Sequence, residues 1–281
     1  APAAAPAPAG DAAREVVARF RDRLAAQAGF GLLLSHHAGR VLPALAAAGI
    51  GATLVKGASF ARRVYPDPAL RGFTDLDILV AQRDRAAAGE VLAWLGFVEE
   101  KPDYRAGQDY AEEKWLLAAD RSVMVELHGD LVHNPRLRRA LYLDRAAVLD
   151  AGGGDAEDAA ALLLIAAGHG TTSHQFARLQ HVVDVLLLGR GAAGALDAAR
   201  LARVAAACRA RTAVCVALLV AARLFGDAAC AGLARALGAG LAARLGAMLT
   251  GPGVVLRAQT DARGRDSWRR KALREVLRVG G

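Results

Sequence analysis

The chain has 281 residues and a formal net charge of +8; 54% of its residues are hydrophobic, but only 5% are aromatic. This length suffices for one large domain or two modest ones, and an apolar content dominated by Ala, Leu and Val favours helices. No apolar run approaches the ~18 residues that a transmembrane helix needs. The composition therefore excludes a membrane-spanning segment and predicts no membrane partner.

The first ten residues, APAAAPAPAG, lack the basic and Leu-rich regions of a signal peptide. We predict a disordered Ala/Pro tail over residues 1–10 and a soluble, cytoplasmic protein. Cys208, Cys215 and Cys230 fall in apolar helical sequence without metal-ligand spacing. They are predicted to be buried free thiols in a reducing compartment.

Residues 11–150 alternate between helical and strand patterns. Apolar residues at helical spacing predict two amphipathic helices, over 11–28 and 31–48. The elements predicted after them are a strand at 52–55, a helix at 58–64, a turn-rich loop at 65–72, a strand at 75–80, a helix at 83–95, a strand from 97, and an antiparallel pair at 113–119 and 122–128. This pattern predicts an α+β domain with N-terminal helices.

Beyond a Gly-rich linker, AGGGD at 151–155, the sequence shows no strand pattern. Helices are predicted at 157–168, 176–188, 196–207, 212–225, 229–237 and 267–279. Residues 151–281 are therefore predicted to be a second, α-helical domain. This domain carries the whole net charge, since acidic and basic residues balance over 1–150. The basic surface is either a solvated Arg-rich face or a contact surface for an acidic partner.

The predicted strand DLDILV places two carboxylates on one face. Side chains alternate along a strand, so Asp75 and Asp77 point one way while Leu76 and Ile78 point into the core. Adjacent carboxylates raise each other's proton affinity and resist burial. A divalent cation between them removes both costs, and Mg²⁺ prefers such oxygen ligands.

Two further motifs accompany this pair. In MVELHGDL, Glu126 and His128 share a face, and Glu126 becomes a third carboxylate of the same site if its strand lies beside DLDILV. In VKGASF, Gly57 follows a strand and begins a helix, so its backbone can approach a phosphate closely. Lys56 and Ser59 can add a charge and a hydroxyl there.

These motifs together resemble a known family. LVKGASFARRVYPDPALRGFTDLDILV, followed by VELHGDL, is similar to the nucleotidyltransferase superfamily with the polymerase-beta-like fold. More narrowly, it resembles poorly characterised bacterial nucleotidyltransferases whose pattern runs Lys-Gly, Asp-x-Asp, then Glu-Leu-His. The resemblance covers residues 54–131 and extends to the helical run at 169–188.

The resemblance implies a mixed sheet with helices, Mg²⁺ or Mn²⁺, and a nucleoside triphosphate such as ATP as substrate. By position, Asp75 and Asp77 would bind metal, and Glu126 would bind metal or help to deprotonate the acceptor. The remaining residues that it implies along the nucleotide are Lys56, Gly57 and Ser59.

One departure from the superfamily pattern is the YPDPALRG insert before the aspartates. It puts the phosphate contact of Ser59 in question and makes Arg71 a candidate for phosphate or acceptor, or else for a salt bridge with Asp75 or Asp77.

Four polar residues of the helical half, and also His128, are candidates to face the active-site cleft. His169 either packs or faces the cleft, as the resemblance favours. Arg178, His181 and Asp184 follow at helical spacing and either touch the nucleotide or form salt bridges between helices. His128 either contacts the acceptor or base, or orients Glu126.

The function predicted from these features is metal-dependent transfer of a nucleoside monophosphate from a triphosphate to an unidentified acceptor, which is a small molecule, a peptide or a protein. Pyrophosphate would leave. The alternatives are a nucleotidyltransferase of the toxin–antitoxin type and a non-catalytic module that binds nucleic acid or nucleotide. Nucleic acid is the less favoured partner, because few aromatic side chains are available for base stacking.

Overall fold

The computed structural model describes residues 9–100, 111–256 and 268–280. Its centre is one mixed sheet of five strands, in the order β1-β2-β5-β4-β3. The strands are β1 Ala52–Val55, β2 Leu76–Val80, β3 Phe97–Glu100, β4 Glu112–Leu117 and β5 Met124–His128. Strands β2 and β5 are parallel, and every other neighbouring pair is antiparallel. The predicted α+β class with a mixed sheet is confirmed.

The helices fall into two groups. The helices that precede or interrupt the sheet are α1 Ala9–Ala47, α2 Gly57–Arg63 and α3 Arg85–Trp94. Those that follow the sheet are α4 Pro135–Arg138, α5 Arg145–Ala151, α6 Ala159–His169, α7 Leu179–Gly189, α8 Ala198–Ala207, α9 Arg211–Phe225, α10 Ala228–Ala236, α11 Leu241–Leu249, α12 Pro252–Val255 and α13 Trp268–Val279. Helices α4, α5, α11 and α12 were not predicted.

The N-terminal region forms one helix of 39 residues, so the prediction of two separate helices is wrong. A helix-interior glycine costs only about 1 kcal/mol, which tertiary packing offsets readily. Leu34, Val41 and Leu45 supply that packing, since all three are fully buried against the sheet side of the molecule. Ala9 belongs to this helix, and the rest of the predicted tail, residues 1–8, lies outside the described residues.

Both faces of the sheet are covered, and β2 is buried along its whole length. Leu76 and Ile78 join a hydrophobic cluster with α1 and α3. Leu79 points the other way and joins a larger cluster that includes the fully buried helix α6. The helices after residue 150 therefore share a hydrophobic cluster with the sheet, while the boundary that we place at residue 150 stays a prediction.

The helical region is closed by α13, whose Leu273 and Leu277 are buried against the preceding helices. This supports a packing role for the apolar side of the basic C-terminal helix. The three cysteines are buried free thiols, as predicted. Among the described residues, none of the helices combines the length and the apolar character of a membrane span.

Gly168 tests how tightly α6 is packed. A Cβ atom at this position would overlap the buried side chain of Leu143. We expect Gly168→Ala to lower the free energy of unfolding by about 1–3 kcal/mol, since overpacking exceeds the gain in helix propensity. Urea denaturation measures the change.

Gly39→Ala is the matched control, because Gly39 lies in α1 with open space around its Cα. It should raise stability by up to about 1 kcal/mol. Equal effects of the two substitutions would contradict the packing of α6 described above.

Candidate functional site

The parallel pairing of β2 and β5 brings the three predicted carboxylates together. The register sets Asp77 beside Glu126 and Leu79 beside His128. Asp75 immediately precedes β2 and lies on the side of Asp77. Asp77 and Glu126 are only 5% and 8% exposed, so this is a cluster of negative charge with little access to water.

Two lysines lie against these carboxylates. Lys56 Nζ is 2.5 Å from Asp77 Oδ1, and Lys114 Nζ is 2.9 Å from Glu126 Oε1. Burial works against the charge on Lys56, but the nearby carboxylates of Asp77 and Glu126 raise its pKa overall, so it stays an ammonium. Buried carboxylates require such compensation, and the site supplies it from its own side chains.

The pKa values of Asp75 and Asp77 are shifted in opposite directions. Burial and the charges of Asp77 and Glu126 raise the pKa of Asp75 to about 7. Burial also acts on Asp77, but Lys56 and His128 outweigh it and lower the pKa of that carboxyl. Asp77 is therefore a fixed anion, whereas Asp75 is poised between its two protonation states near neutral pH.

His128 connects the two strands at the floor of the site. Its ring is fully buried, and its Nε2 lies 2.9 Å from Asp77 Oδ1 and 3.8 Å from Glu126 Oε2. With Asp77 ionised, the ring N–H donates to that carboxylate. His128 thus orients Asp77, whereas the predicted roles of His128 in positioning Glu126 or in contacting the acceptor or base stay predictions.

The backbone at Lys56 is strained. Lys56 has φ 54° and ψ −123°, a conformation that favours glycine, at the junction of β1 and α2. A side chain there costs about 1–3 kcal/mol, and such strain clusters at functional sites. Gly57 follows, and a Cβ on it would come within 2.9 Å of Phe73 Cβ, so the tight turn also needs its second residue to be small.

The carboxylates open into a polar cavity of about 550 Å³. One wall is the sheet with Lys56, Gly57 and the three carboxylates, and the opposite wall comes from the helical region. That second wall includes His169, Arg178 and Asp184. A larger cavity of about 670 Å³ runs along α1, but it is mostly apolar and does not include the carboxylates, so the polar cavity is the candidate site.

Arg71 pairs with Asp184 rather than with either aspartate of the strand. Its Nε and Nη2 donate to the two oxygens of Asp184 at 3.1 and 2.9 Å, and the Tyr65 hydroxyl donates to Asp184 Oδ1 at 2.8 Å. Arg71 and Asp184 are 7% and 2% exposed. The insert before β2 is thereby fixed to α7, and the predicted salt bridge between Arg71 and Asp75 or Asp77 is wrong.

The other predicted residues are divided between the cavity and its support. His169 and Arg178 line the cavity, with Arg178 in extended backbone just before α7. Ser59 is buried elsewhere and its hydroxyl donates to Glu157 Oε1 at 3.4 Å, away from the cavity lining. The phosphate contact predicted for Ser59 therefore has no geometric support.

Sequence reasoning missed four residues of the cavity wall: Glu112, Lys114, His133 and His174. Lys114 lies on a predicted strand, but only the observed register sets it opposite Glu126. His133 lies in the loop after β5 and His174 in the π-helical turn Gly170–His174. Neither position carries a periodic signal that would direct its side chain.

Of the seven histidines in the chain, five form a continuous cluster at this site. Its contacts run from His128 through His133 and His169 to His174 and His181, with ring centroids between 4.3 and 6.1 Å apart. Burial, then neighbouring cationic groups, lower the pKa of His174 and His181 to about 3. The rings of His174 and His181 are therefore neutral at physiological pH, so they offer lone pairs and N–H groups rather than positive charge.

The pair of Arg71 and Asp184 predicts a specific pattern of stabilities. We expect Arg71→Met and Asp184→Leu each to lower the free energy of unfolding by about 3–5 kcal/mol, because each leaves a buried charge without its partner. The double variant should cost about 0.5–3 kcal/mol less than the sum of the two single variants. Chemical denaturation of all four proteins measures this coupling.

Arg190→Met is the comparison variant, because Arg190 is half exposed and also pairs with an aspartate, Asp227, at 2.7 Å. A loss of no more than about 1 kcal/mol is expected there. Strictly additive effects of Arg71→Met and Asp184→Leu would contradict a direct interaction between the two residues.

The comparison with protein families agrees with this geometry. A family profile described as an uncharacterised nucleotidyltransferase matches residues 7–226, which include the whole sheet and the helices through α9. Neither the curated proteins nor the solved structures give a match. Since the profile covers well over half of the 281 residues, the chain belongs to this uncharacterised nucleotidyltransferase family.

Proposed function

We propose that the protein transfers a nucleoside monophosphate from a nucleoside triphosphate to an acceptor in a metal-dependent reaction that releases pyrophosphate. The observation that carries this proposal is the cluster of Asp75, Asp77 and Glu126 at the floor of a polar cavity. Family membership supports nucleotidyl transfer in general, and the metal, the acceptor and the leaving group are our inference.

The residues present fit a divalent cation. Asp77 and Glu126 lie on paired positions of parallel strands, and one group of possible ligand atoms includes both carboxylates. Asp75 adds a third carboxylate, whose pKa is raised to about 7 by burial and by the charges of Asp77 and Glu126. Asp75, Asp77 and Glu126 would hold Mg²⁺ or Mn²⁺, which supplies charge neutralisation for the phosphates and activation of the attacking group.

The two cationic walls of the cavity suit a triphosphate. Lys56 and Lys114 extend from the sheet, and Arg178 faces them from the start of α7. On nucleotide binding, we infer that Lys56 exchanges its contact with Asp77 for one with phosphate oxygens. Gly57 allows the backbone of this wall to approach the substrate closely.

The acceptor hydroxyl, amine or phosphate attacks the α-phosphorus in line with the leaving group. A bond forms from the acceptor to this phosphorus, and the bond from phosphorus to the bridging oxygen of pyrophosphate breaks. A hydroxyl or amine acceptor passes its proton to Glu126, and the electron pair of the broken bond leaves with pyrophosphate. Positioning and charge compensation by the cavity side chains supply most of the rate enhancement in such reactions.

Nucleotide binding gives the direct test. We expect Mg²⁺-dependent binding of ATP or GTP by wild-type protein in calorimetry. Asp75→Asn/Asp77→Asn should weaken it at least about a hundredfold, equivalent to about 2.7 kcal/mol. Glu90→Gln, which changes an exposed carboxylate on α3, is the matched control and should bind like wild type.

Binding that persists in the folded double variant, or is absent from folded wild-type protein, would refute the proposed site. Nucleic-acid binding that survives in the double variant, and weakens steeply with added salt, would favour the non-catalytic alternative.

Lys56 gives a second prediction. Because its ammonium sits on Asp77 in the nucleotide-free protein, Lys56→Met should tighten the binding of Mn²⁺ alone by about tenfold, or 1.4 kcal/mol, while it weakens nucleotide binding. Electron paramagnetic resonance of free Mn²⁺ measures the first effect.

Lys56→Gly distinguishes the effect of the ammonium from the effect of the strained backbone. It should bind Mn²⁺ as Lys56→Met does. Its free energy of unfolding should be about 1 kcal/mol higher than that of Lys56→Met, since glycine accepts φ 54° without strain. Unchanged Mn²⁺ affinity in both variants would show that Lys56 does not compete for the cation position.

A further inference from the structure

A second group of possible metal ligands lies beside the three carboxylates. Glu112 from β4, His128 from the end of β5 and His133 from the loop after β5 each present one ligand atom within 4.8 Å of the others. Strand pairing sets this arrangement, because Glu112 and His128 are directly opposite in the antiparallel register. The rings of His128 and His133 stack with an angle of 12° between their planes.

The hydrogen bonding of the two histidines is incomplete. His128 Nδ1 and His133 Nε2 are buried nitrogens that lack a hydrogen-bond partner among the described residues. His133 Nε2 lies 3.2 Å from Glu112 Oε2, yet the two atoms do not meet at a hydrogen-bonding angle. Buried polar atoms are almost always satisfied, so nitrogens without partners at one place indicate a missing ligand.

The distances suit a cation. With metal–ligand bonds of about 2.1 Å, the ligand atoms of a tetrahedral site lie about 3.4 Å apart. His133 Nε2 and Glu112 Oε2 already have this separation. Two ammonium groups lie near these ligands, since Lys114 Nζ is 3.9 Å from the other oxygen of Glu112 and Lys56 Nζ is 3.4 Å from His128 Nε2.

We propose that Glu112, His128 and His133 form a second cation site, selective for Zn²⁺ or a similar transition-metal ion over Mg²⁺. Two imidazoles and one carboxylate are ligands that such ions prefer, whereas Mg²⁺ prefers oxygen ligands alone. Glu112 and His133 both line the cavity, so a fourth coordination position faces the space that the substrate would occupy. The site does not depend on the proposed transfer reaction.

The second site is coupled to the carboxylate cluster through His128. This ring contacts Asp77 at 2.9 Å and is also a member of the second ligand group. A transition metal on His128 therefore alters the hydrogen bond that holds Asp77.

Co²⁺ serves as the probe, because its visible absorption bands report coordination number and imidazole ligation. Wild-type protein should bind one Co²⁺ equivalent with the bands of a site of low coordination number, and excess Mg²⁺ should not displace it. Glu112→Gln and His133→Gln should each weaken Co²⁺ binding at least about tenfold, since changing even an outer-shell partner of a metal ligand costs about 10–100-fold. His36→Gln, which changes an exposed histidine on α1, should leave it unchanged.

Asp75→Asn/Asp77→Asn distinguishes this site from the one proposed for nucleotide transfer. Because Asp77→Asn keeps a side-chain oxygen that can accept the hydrogen bond from His128 Nε2, the double variant should keep the Co²⁺ bands while it loses Mg²⁺-dependent nucleotide binding. Absence of Co²⁺ binding in folded wild type would overturn the second site. So would binding that ignores both Glu112→Gln and His133→Gln, or binding that disappears in the double aspartate variant alone, because Co²⁺ would then occupy the carboxylate cluster.

Discussion

The parallel pairing of β2 with β5 is the contact on which the site depends. It sets Asp77 beside Glu126 at a point where both are nearly inaccessible to water. Negative charges so placed are tolerated only with cations beside them, and Lys56 and Lys114 supply these. This requirement determines much of the cavity wall, since a neighbouring element must contribute each cationic side chain.

Placing the Lys56 ammonium beside Asp77 requires a strained backbone conformation. The residue adopts φ 54° so that β1 can turn sharply into α2 with the ammonium facing Asp77. A glycine would relieve the backbone but remove the charge, and a longer turn would move the ammonium away. The strain is therefore the consequence of an electrostatic demand, and this is consistent with the clustering of strained backbone at functional sites.

The sequence was sufficient to predict which side chains share a strand face, but it was insufficient to predict which distant residues form contacts. Alternation along a strand placed Asp75 and Asp77 on one face, and Glu126 joined them because its strand is the neighbour of β2. By contrast, one alternative predicted for Arg71 was a salt bridge with the strand aspartates, yet its partner is Asp184, 113 positions later. Residue spacing carries no information about such a distant contact.

The same limit explains the other differences. Helix α1 runs through glycines that local propensity treats as breaks, because buried residues such as Leu34 and Val41 hold the helix on the sheet. His133 and His174 reach the cavity from a loop and a π-helical turn, where no periodicity fixes side-chain direction. Predictions failed wherever tertiary packing, and not the periodicity of the sequence, determined helix length or side-chain direction.

Fold stability and the shape of the cavity are linked by one ion pair. Arg71 belongs to the insert next to the aspartates, Asp184 belongs to α7, and both line the cavity. The pair therefore sets how closely the helical wall approaches the sheet. A buried ion pair is a weak source of net stability, but its two-point geometry admits little displacement. Its value to this fold lies in fixing the distance across the cavity, which determines whether groups from both walls can contact one substrate.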